Sequence, residues 1–396
     1  MQKYKIMYNI DYIWALNSKR VMTIAQKQFL ELLRAGLWGR PADPTLFQEG
    51  VDWKDILRIA HQQTTSILVA DGIATLPAEL SPSKSQIFKL AIKRTDNTLM
   101  HKLLNNTINQ ITAALNAEGI PSVLLKGQGV AQNYRSPESR MCGDIDLYVG
   151  KENFLKAYEI LGETEGIKMP DTSDCESHIL AKLGEAVIEL HHKTCVLYGK
   201  KTDLSWQNWT QESIGAQMKD KELPIWQNNG QEIALPSPTY NALYILQHAA
   251  RHMMTEGIGF RHICDWAMFL YRHHQEIDKD QLSKKLKEYR MDIPWKEFSI
   301  LAHDLLGLPA EYIPLYPTEP SSKTETLARH IFESGNFGRY SAQQRSHDQS
   351  YVKRKWRNFC FQNSRLFKLF SLFPLFALSH GWAWFKGAIV RFAKRK

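Results

Sequence analysis

Two short runs, VLLKGQG at residues 123–129 and RMCGDIDLYV at residues 140–149, organise this chain. Each run holds a short apolar segment next to glycine, which is the pattern of a buried β-strand. Residues 130–134 lie between them and predict the first turns of a helix, which Pro137 and Gly143 end. The two runs therefore predict a strand, a tight turn, a helix and a second strand.

Two carboxylates stand on the second of these strands. Asp144 and Asp146 are two residues apart, so both side chains point to the same face. Carboxylate oxygens are ligands that Mg²⁺ prefers, and a Gly-rich turn before a helix offers backbone N–H groups to phosphate. The pattern is typical of metal-dependent chemistry on a nucleoside triphosphate. For the pair taken alone, the alternative is two solvated or capping aspartates at the edge of a strand.

Residues 178–191 predict a hairpin that turns at Leu183-Gly184, and a third acid stands on its second strand. In residues 186–191 (AVIELH), apolar positions alternate around Glu189, which can therefore face the same cleft as Asp144 and Asp146. Two metal ions that share such carboxylates clamp the attacking and leaving oxygens of a phosphoryl displacement. We therefore expect the three acids to be catalytic and to bind metal. His191 shares the face of Glu189 and could hydrogen-bond a metal-bound acid or a phosphate, or it could simply fill the edge of the cleft.

The run LLKGQGVAQNYRSPESRMCGDIDLYV, at residues 124–149, resembles the active-site segment of the polymerase-beta-type nucleotidyltransferase superfamily. More narrowly, it is similar to a bacterial family known as uncharacterised nucleotidyltransferases, and the resemblance extends over roughly residues 52–270. In that family a Leu-Lys-Gly turn replaces Gly-Ser, an Arg precedes the Asp-x-Asp strand, and a later strand carries an acid followed by a His. The matching positions are Lys126, Gly127, Arg140, Asp144, Asp146, Glu189 and His191. Gln128 departs from the superfamily pattern, which has there a Ser that touches the triphosphate.

The resemblance implies a phosphorus-group transferase of the EC 2.7.7 type. It would move a nucleoside monophosphate from an NTP to an unidentified small-molecule, glycan or protein acceptor and release pyrophosphate. The three acids would bind Mg²⁺ or Mn²⁺, and Glu189 could assist deprotonation of the acceptor. Lys126, with the backbone of Gly127 and Gln128, would hold the triphosphate, whereas Arg140 would neutralise phosphate charge or brace the strand. The alternative from another class is a catalytically inactive member of the same fold that acts as a binding or scaffold protein at a membrane surface.

A pair of helices is predicted at residues 240–252 and 260–273, on either side of two glycines. The resemblance implies that His248, Arg261 and Asp265 in this pair line the nucleotide or acceptor side of the cleft. The spacing of Arg261 and Asp265, which are four residues apart, equally fits an ordinary salt bridge on a helix surface.

Composition limits the class of partner. The 396 residues carry a net charge of +9, but eleven Lys or Arg residues follow the last acid, Asp348, so +9 minus 11 leaves −2 for the rest. A nearly neutral body argues against a nucleic-acid substrate, which would favour a basic face.

The five cysteines are odd in number and have no C-x-x-C spacing, which indicates a reducing compartment. Residues 1–20 lack the apolar core of a signal peptide, so we expect a cytoplasmic protein.

The C-terminal tail, residues 351–396, is basic and aromatic. Between Lys368 and Lys386 lie 17 residues without Lys, Arg, Asp or Glu, and Pro374 interrupts them. A membrane-spanning helix needs about 20 largely apolar residues, and basic residues flank this run on both sides. An interfacial anchor on the anionic inner face of the membrane fits better. The alternatives are a helix docked on protein and a true membrane span.

We predict an α+β fold, in which a small mixed β-sheet nucleotidyltransferase core is flanked by N-terminal and C-terminal helical layers. Residues 200–230 are predicted to be a loop-rich connection, and residues 281–306 to be helical with a break at Pro294. The predicted regions are an N-terminal helical region (1–118), the α/β core (119–200), a C-terminal helical region (201–335), a linker (336–350) and the tail (351–396).

Overall fold

The computed structural model describes residues 22–170, 175–197, 199–216, 218 and 222–336, together with positions 367, 369, 370, 374 and 378. The predictions for the linker and for the tail therefore lie almost entirely outside the described residues. Within the described part of the chain, no helix is both long enough and apolar enough to cross a membrane.

Twelve α-helices occur in the described residues. They are α1 (Ile24–Trp38), α2 (Trp53–Gln62), α3 (Ser66–Ile73), α4 (Lys84–Ala117), α5 (Gln128–Ala131), α6 (Gly150–Glu163), α7 (Lys200–Thr210), α8 (Pro238–Thr255), α9 (Phe260–His273), α10 (Lys279–Glu288), α11 (Asp292–Leu306) and α12 (Thr324–Ser334). The side chain of Asp52 caps α2 by accepting from the N–H of Asp55, as its position before an apolar helical pattern predicts. The predicted helical pair is confirmed as α8 and α9.

Seven strands form one mixed sheet, so the predicted α+β fold class is confirmed. They are β1 (Val123–Leu124), β2 (Asp144–Tyr148), β3 (Ile167–Lys168), β4 (His178–Leu183), β5 (Ala186–His191), β6 (Ile225–Asn228) and β7 (Gln231–Ala234). Their order across the sheet is β3-β4-β5-β2-β1-β7-β6. β2 runs parallel to β5 and antiparallel to β1, while β4 and β5 form the predicted hairpin.

The chain divides into two compact units, each assembled from several segments. Among the described residues, the helical unit comprises those within 22–91, 249–274 and 291–336, and the sheet unit comprises those within 92–248 and 275–290. The domain boundaries inferred from the sequence stay a prediction.

Close packing of α1 on α3 characterises the helical unit. Gly36 of α1 faces the backbone of Leu68, and Gly72 of α3 faces the backbone of Leu32. A Cβ atom at either glycine would overlap a carbonyl oxygen of the other helix. The two glycines therefore let the two backbones approach closely.

One face of the sheet is apolar and packs against α4 and α6. Ile145 of β2 pairs with Ile188 of β5, Leu147 pairs with Leu190, and all four side chains are buried in one core. Four residues of α4 complete this core: Leu104, Ile108, Ile111 and Leu115. Successive strand residues alternate between the two faces of a sheet. The acids of β2 and β5 therefore point to the opposite face, which is the face of the candidate site.

The prediction of a loop-rich connection over residues 200–230 is wrong. The segment contains α7, and its end forms most of the hairpin of β6 and β7. Trp206 and Trp209 are three residues apart, close to one helical turn, and are fully buried beside Tyr240, so they anchor α7 in the core of the sheet unit. The hairpin turns at Asn229 and Gly230, which both have positive φ, and Asn-Gly is a strong sequence signal for such a turn.

The predicted break at Pro294 is also wrong. The chain leaves the helical conformation between Tyr289 and Met291, where Arg290 has a φ of +57°. Pro294 lies in the first turn of α11. At that position no N–H is needed for the helical hydrogen bonds, so a proline is tolerated.

Candidate active site

The register of three neighbouring strands assembles the site. Asp146 of β2 stands directly beside Glu189 of β5, and His191 at the end of β5 stands opposite His178 of β4. Because registered neighbours point to the same face, the four side chains share one surface. Asp144 lies on the same face one pleat away and is half-buried.

Asp146 is the most deeply buried of the three acids, with 1% of its surface exposed. Its Oδ1 lies 2.8 Å from the Lys126 ammonium and 3.1 Å from Nε2 of His191. Its Oδ2 is buried and has no hydrogen-bond partner among the described residues. Because a buried, unpaired carboxylate oxygen is unfavourable, this atom is suited to bind a cation.

Glu189 is held ionised by the groups around it. Its Oε2 lies 3.3 Å from Nε2 of His191 and 3.8 Å from Nε2 of His178. Burial alone would raise the pKa of Glu189, but the hydrogen bond from His191 and the positive charge of Lys126 lower it to about 2. The carboxylate is therefore a weak base and a good ligand for a cation.

The surroundings shift the pKa values of the two histidines in opposite directions. Burial disfavours protonation of His191, but its hydrogen bonds to Asp146 and Glu189 outweigh that effect and raise its pKa. Burial lowers the pKa of His178, and the neighbouring charge of His191 adds to the effect. The ligand atoms of His178, Glu189 and His191 all lie within 4.8 Å of one another, so this group could hold a metal ion.

His178 is a site residue that the sequence reasoning missed, although a signal for it exists. In the hairpin, Leu183 pairs with Ala186, and counting outward from that pair places His178 opposite His191. The predicted turn at Gly184 would therefore have been sufficient to find it.

Lys126 lies between the acids and α8. Its ammonium contacts Asp146 and also lies 3.3 Å from Nδ1 of His248. Burial would lower the pKa of Lys126, but the charges of Asp146, Glu189 and Asp144 raise it. The structure therefore brings the predicted residues Lys126 and His248 to the acid cluster.

Gly127 has two reasons to be glycine. Its φ is +55°, and a Cβ atom there would lie 2.8 Å from the carbonyl oxygen of Asp144. Gln128 follows, and its side chain is buried rather than directed at the cleft: its amide nitrogen lies 3.1 Å from Nδ1 of His101 and 2.6 Å from Oδ1 of Asn105. The backbone N–H of Gln128 is thus the part of this residue that could bind phosphate.

Arg140 is held by α4, immediately before β2. Its carbonyl oxygen accepts hydrogen bonds from the side chains of Asn97 and His101, at 3.2 and 2.7 Å. Its guanidinium lies 2.8 Å from Sγ of Cys142. Burial alone would raise the pKa of the Cys142 thiol, but the charges of Arg140 and His101 lower it. These contacts fit a bracing role for Arg140, and sequence reasoning missed Asn97 and His101 because Arg140 is distant from them in the chain.

Arg261 and Asp265 lie on α9, in the helical unit, whereas the three acids lie in the sheet unit. Asp265 is buried. The part that these two residues play in the site stays a prediction.

A comparison with models of known protein families identifies the family of this chain. Residues 49–307, which are more than half of its 396 residues, match the model of a family described as uncharacterised nucleotidyltransferase. Comparisons with curated proteins and with solved structures gave no significant match. The matched region includes all eleven residues that the sequence assigned to the site. The chain therefore belongs to the family of uncharacterised nucleotidyltransferases.

Proposed function

We propose that this chain is a metal-dependent nucleotidyltransferase of the polymerase-beta superfamily, of the EC 2.7.7 type and of bacterial origin. It transfers a nucleoside monophosphate from an NTP to an acceptor and releases pyrophosphate. The observation that carries this proposal is the buried carboxylate of Asp146, which stands in register with Glu189 and keeps one oxygen unpaired among the described residues.

Asp144, Asp146 and Glu189 hold Mg²⁺ or Mn²⁺ in this proposal. Such an ion supplies positive charge at the reacting phosphate and orients the attacking oxygen. Because the pKa of Glu189 is about 2, this residue serves as a metal ligand rather than as the base that deprotonates the acceptor.

Lys126 is placed to bind the triphosphate. In the structure its ammonium neutralises Asp146. With a cation held at Asp146, this ammonium would be available to the triphosphate, together with backbone N–H groups at Gly127 and Gln128. His248, which already contacts Lys126, lies at the same side of the cleft.

The acceptor is a small molecule, a glycan or a protein. A nucleic acid fits poorly, because the chain before the basic tail carries a charge of only −2 (+9 minus the 11 basic residues after Asp348). We further propose that the chain is cytoplasmic and that its tail, residues 351–396, attaches it to the anionic inner face of the membrane.

Thermal unfolding with each of the four NTPs, with and without Mg²⁺, tests this function. We expect one NTP to raise the unfolding temperature only with Mg²⁺, since a ligand at 100 times its Kd stabilises by about 2.7 kcal/mol. The double variant Asp144→Ala/Asp146→Ala should lose the shift. If no NTP stabilises the wild type, the transferase proposal fails.

A catalytically inactive binding or scaffold protein is the second candidate. The observation that favours it is Gln128, whose buried side chain replaces the Ser expected to touch the triphosphate. In that case the unfolding temperature would be the same with every NTP, and the double variant would behave as the wild type does.

A further inference from the structure

Two imidazoles converge on one carboxylate oxygen in the candidate site. Nε2 of His191 lies 3.3 Å and Nε2 of His178 lies 3.8 Å from Oε2 of Glu189. Four ligands at about 2.0–2.1 Å from a tetrahedral ion are about 3.3–3.4 Å from one another. The first distance has this value, and the second exceeds it only slightly. The ligand atoms of the three residues all lie within 4.8 Å of one another, so small side-chain adjustments would let them bind a single ion.

The outer nitrogen of each imidazole is held by a protein oxygen. Nδ1 of His191 donates to the carbonyl oxygen of Lys193 at 3.2 Å, and Nδ1 of His178 lies 3.0 Å from the hydroxyl of Ser177. A metal-binding histidine usually has such a partner, which fixes the ring and leaves Nε2 for the ion. Both rings are thus oriented with Nε2 toward Glu189.

Asp146 provides an independent observation. It is 1% exposed, its Oδ1 lies 3.1 Å from Nε2 of His191, and its Oδ2 is buried with no hydrogen-bond partner in the described part of the chain. Oδ1 already pairs with Lys126, so an ion near His191 would give a positive partner to the Oδ2 atom. Asp146 or a substrate oxygen would supply the fourth ligand.

The ligand types select the ion. Mg²⁺ prefers oxygen ligands alone, whereas imidazole favours zinc and related transition ions, and two histidines with one carboxylate is a ligand set of catalytic zinc sites. We propose that His178, Glu189 and His191 form a binding site for one divalent transition-metal ion, with Zn²⁺ as the best fit, beside the Mg²⁺ position at Asp144 and Asp146. Glu189 has a second oxygen and can bridge the two positions. A role of this ion in nucleotidyl transfer rests on the function proposed above, but its binding does not.

Metal binding by the full-length chain tests the site without any need for activity. Protein freed of metal by chelation is dialysed against Zn²⁺ in millimolar Mg²⁺, and Co²⁺ serves as a visible probe of the ligand set. We expect one Zn²⁺ per chain that Mg²⁺ does not displace. His178→Ala should weaken Zn²⁺ binding by more than about 100-fold, because even an outer partner of a ligand contributes about 10- to 100-fold.

Two further variants make the result specific. Ser177→Ala keeps all three ligands and should weaken Zn²⁺ binding about 10-fold. His192→Ala is the matched control, since the ring of His192 packs on Phe154, and it should bind Zn²⁺ as the wild type does. Displacement of Zn²⁺ by Mg²⁺, no retained Zn²⁺, or equal affinity in the wild type and His178→Ala would overturn the site.

Asp144→Ala separates this inference from the proposed function. It should lose the Mg²⁺-dependent effect of the NTP and retain Zn²⁺. If the wild type holds Zn²⁺ but no NTP stabilises it, the proposed function fails and the metal site stands. If an NTP stabilises it with Mg²⁺ but Zn²⁺ does not bind, the metal site fails and the proposed function stands.

Discussion

Asp146 and Lys126 form an ion pair that is almost completely removed from water, with 1% and 15% of their side chains exposed. Removing one member of a buried pair leaves an uncompensated charge, which destabilises a protein by about 3–5 kcal/mol. An ion at Asp146 would supply the missing charge, so the stability of a Lys126 variant should depend on metal.

We therefore expect Lys126→Met to lower the free energy of unfolding by about 3 kcal/mol without metal and to recover part of it in saturating Mg²⁺. Urea denaturation with and without Mg²⁺ measures both values. Lys156→Met is the control, since Lys156 pairs with Glu118 at an exposed site and such pairs contribute about 0.2–1 kcal/mol. An equal loss for Lys126→Met with and without Mg²⁺ would argue against cation binding at Asp146.

Glu31 is a second buried carboxylate, in the helical unit. It pairs with Arg34 and Arg40, each at 2.8 Å, and accepts from the N–H of Asp43. Burial would raise the pKa of Glu31, but the hydrogen bond from Arg40 and the charge of Arg34 lower it below 4.5. Its contribution to stability is therefore present above pH 4.5 and lost as the pH falls through the lower value of the folded state.

This pH dependence can be tested with the variant Glu31→Gln. The free energy of unfolding of the wild type and of the variant is measured from neutral pH to about pH 3. The variant should be less stable by about 3 kcal/mol at neutral pH, and the difference should shrink as the solution becomes more acidic. A difference that stays constant, or that grows in acid, would show that the ion pairs of Glu31 do not stabilise the fold.

At the level of the elements, periodicity predicted most helices and the central strands well. The strand-turn-helix-strand order around Asp146 is present, and so is the hairpin that carries Glu189. Errors arose where burial overrides local composition. Trp206 and Trp209 stand in a polar segment, yet both are buried against Tyr240, which is distant in the chain.

The long helix α4 illustrates what sequence could not provide for the site. One face of it carries Asn97, His101 and Asn105 at intervals of four residues, and these side chains hold the segments that contain Arg140 and Gln128. The spacing is visible in the sequence. Their partners, however, are set by how α4 packs on the sheet, which the sequence does not show.

His101→Ala should therefore loosen the segment before β2. A buried polar group that loses its partner destabilises a protein by about 1–3 kcal/mol, so we expect NTP affinity to fall by about 10-fold as the segment moves. Nucleotide titration of the purified variant measures this. His101→Gln restores a donor and should recover part of the affinity, while Asn116→Ala, at an exposed position of the same helix, should have no effect. If His101→Ala has the same NTP affinity as the wild type, α4 does not contribute to nucleotide binding.

On the scale of the whole molecule, the family region extends well beyond the α/β core. Residues 49–307 include segments of both the sheet unit and the helical unit. Local motifs in the sequence predicted a mixed sheet and the two strands that carry the acids. The division into two discontinuous units depends on contacts between segments far apart in the chain, which periodicity does not reveal.

The cluster of basic residues at the C-terminal end predicts that the chain attaches to anionic membranes. The eleven basic residues after Asp348 should each contribute on the order of 1 kcal/mol near an anionic surface. We expect the full chain to sediment with vesicles that contain phosphatidylserine and to be released by salt, whereas a chain that ends at residue 350 should stay in solution. Equal sedimentation of both proteins, or binding that salt does not weaken, would contradict the attachment.

The dependence of nucleotide binding on Asp146 and metal can be measured directly by calorimetric titration with non-hydrolysable NTP analogues. The wild type and Asp146→Asn are compared with and without Mg²⁺, after circular dichroism has verified that the variant is folded. We predict that one analogue binds the wild type only with Mg²⁺, and that Asp146→Asn weakens this binding by more than about 100-fold, or about 2.7 kcal/mol. Equal affinity with and without Mg²⁺, equal affinity in the two proteins, or no binding of any analogue would contradict a metal-dependent nucleotidyltransferase.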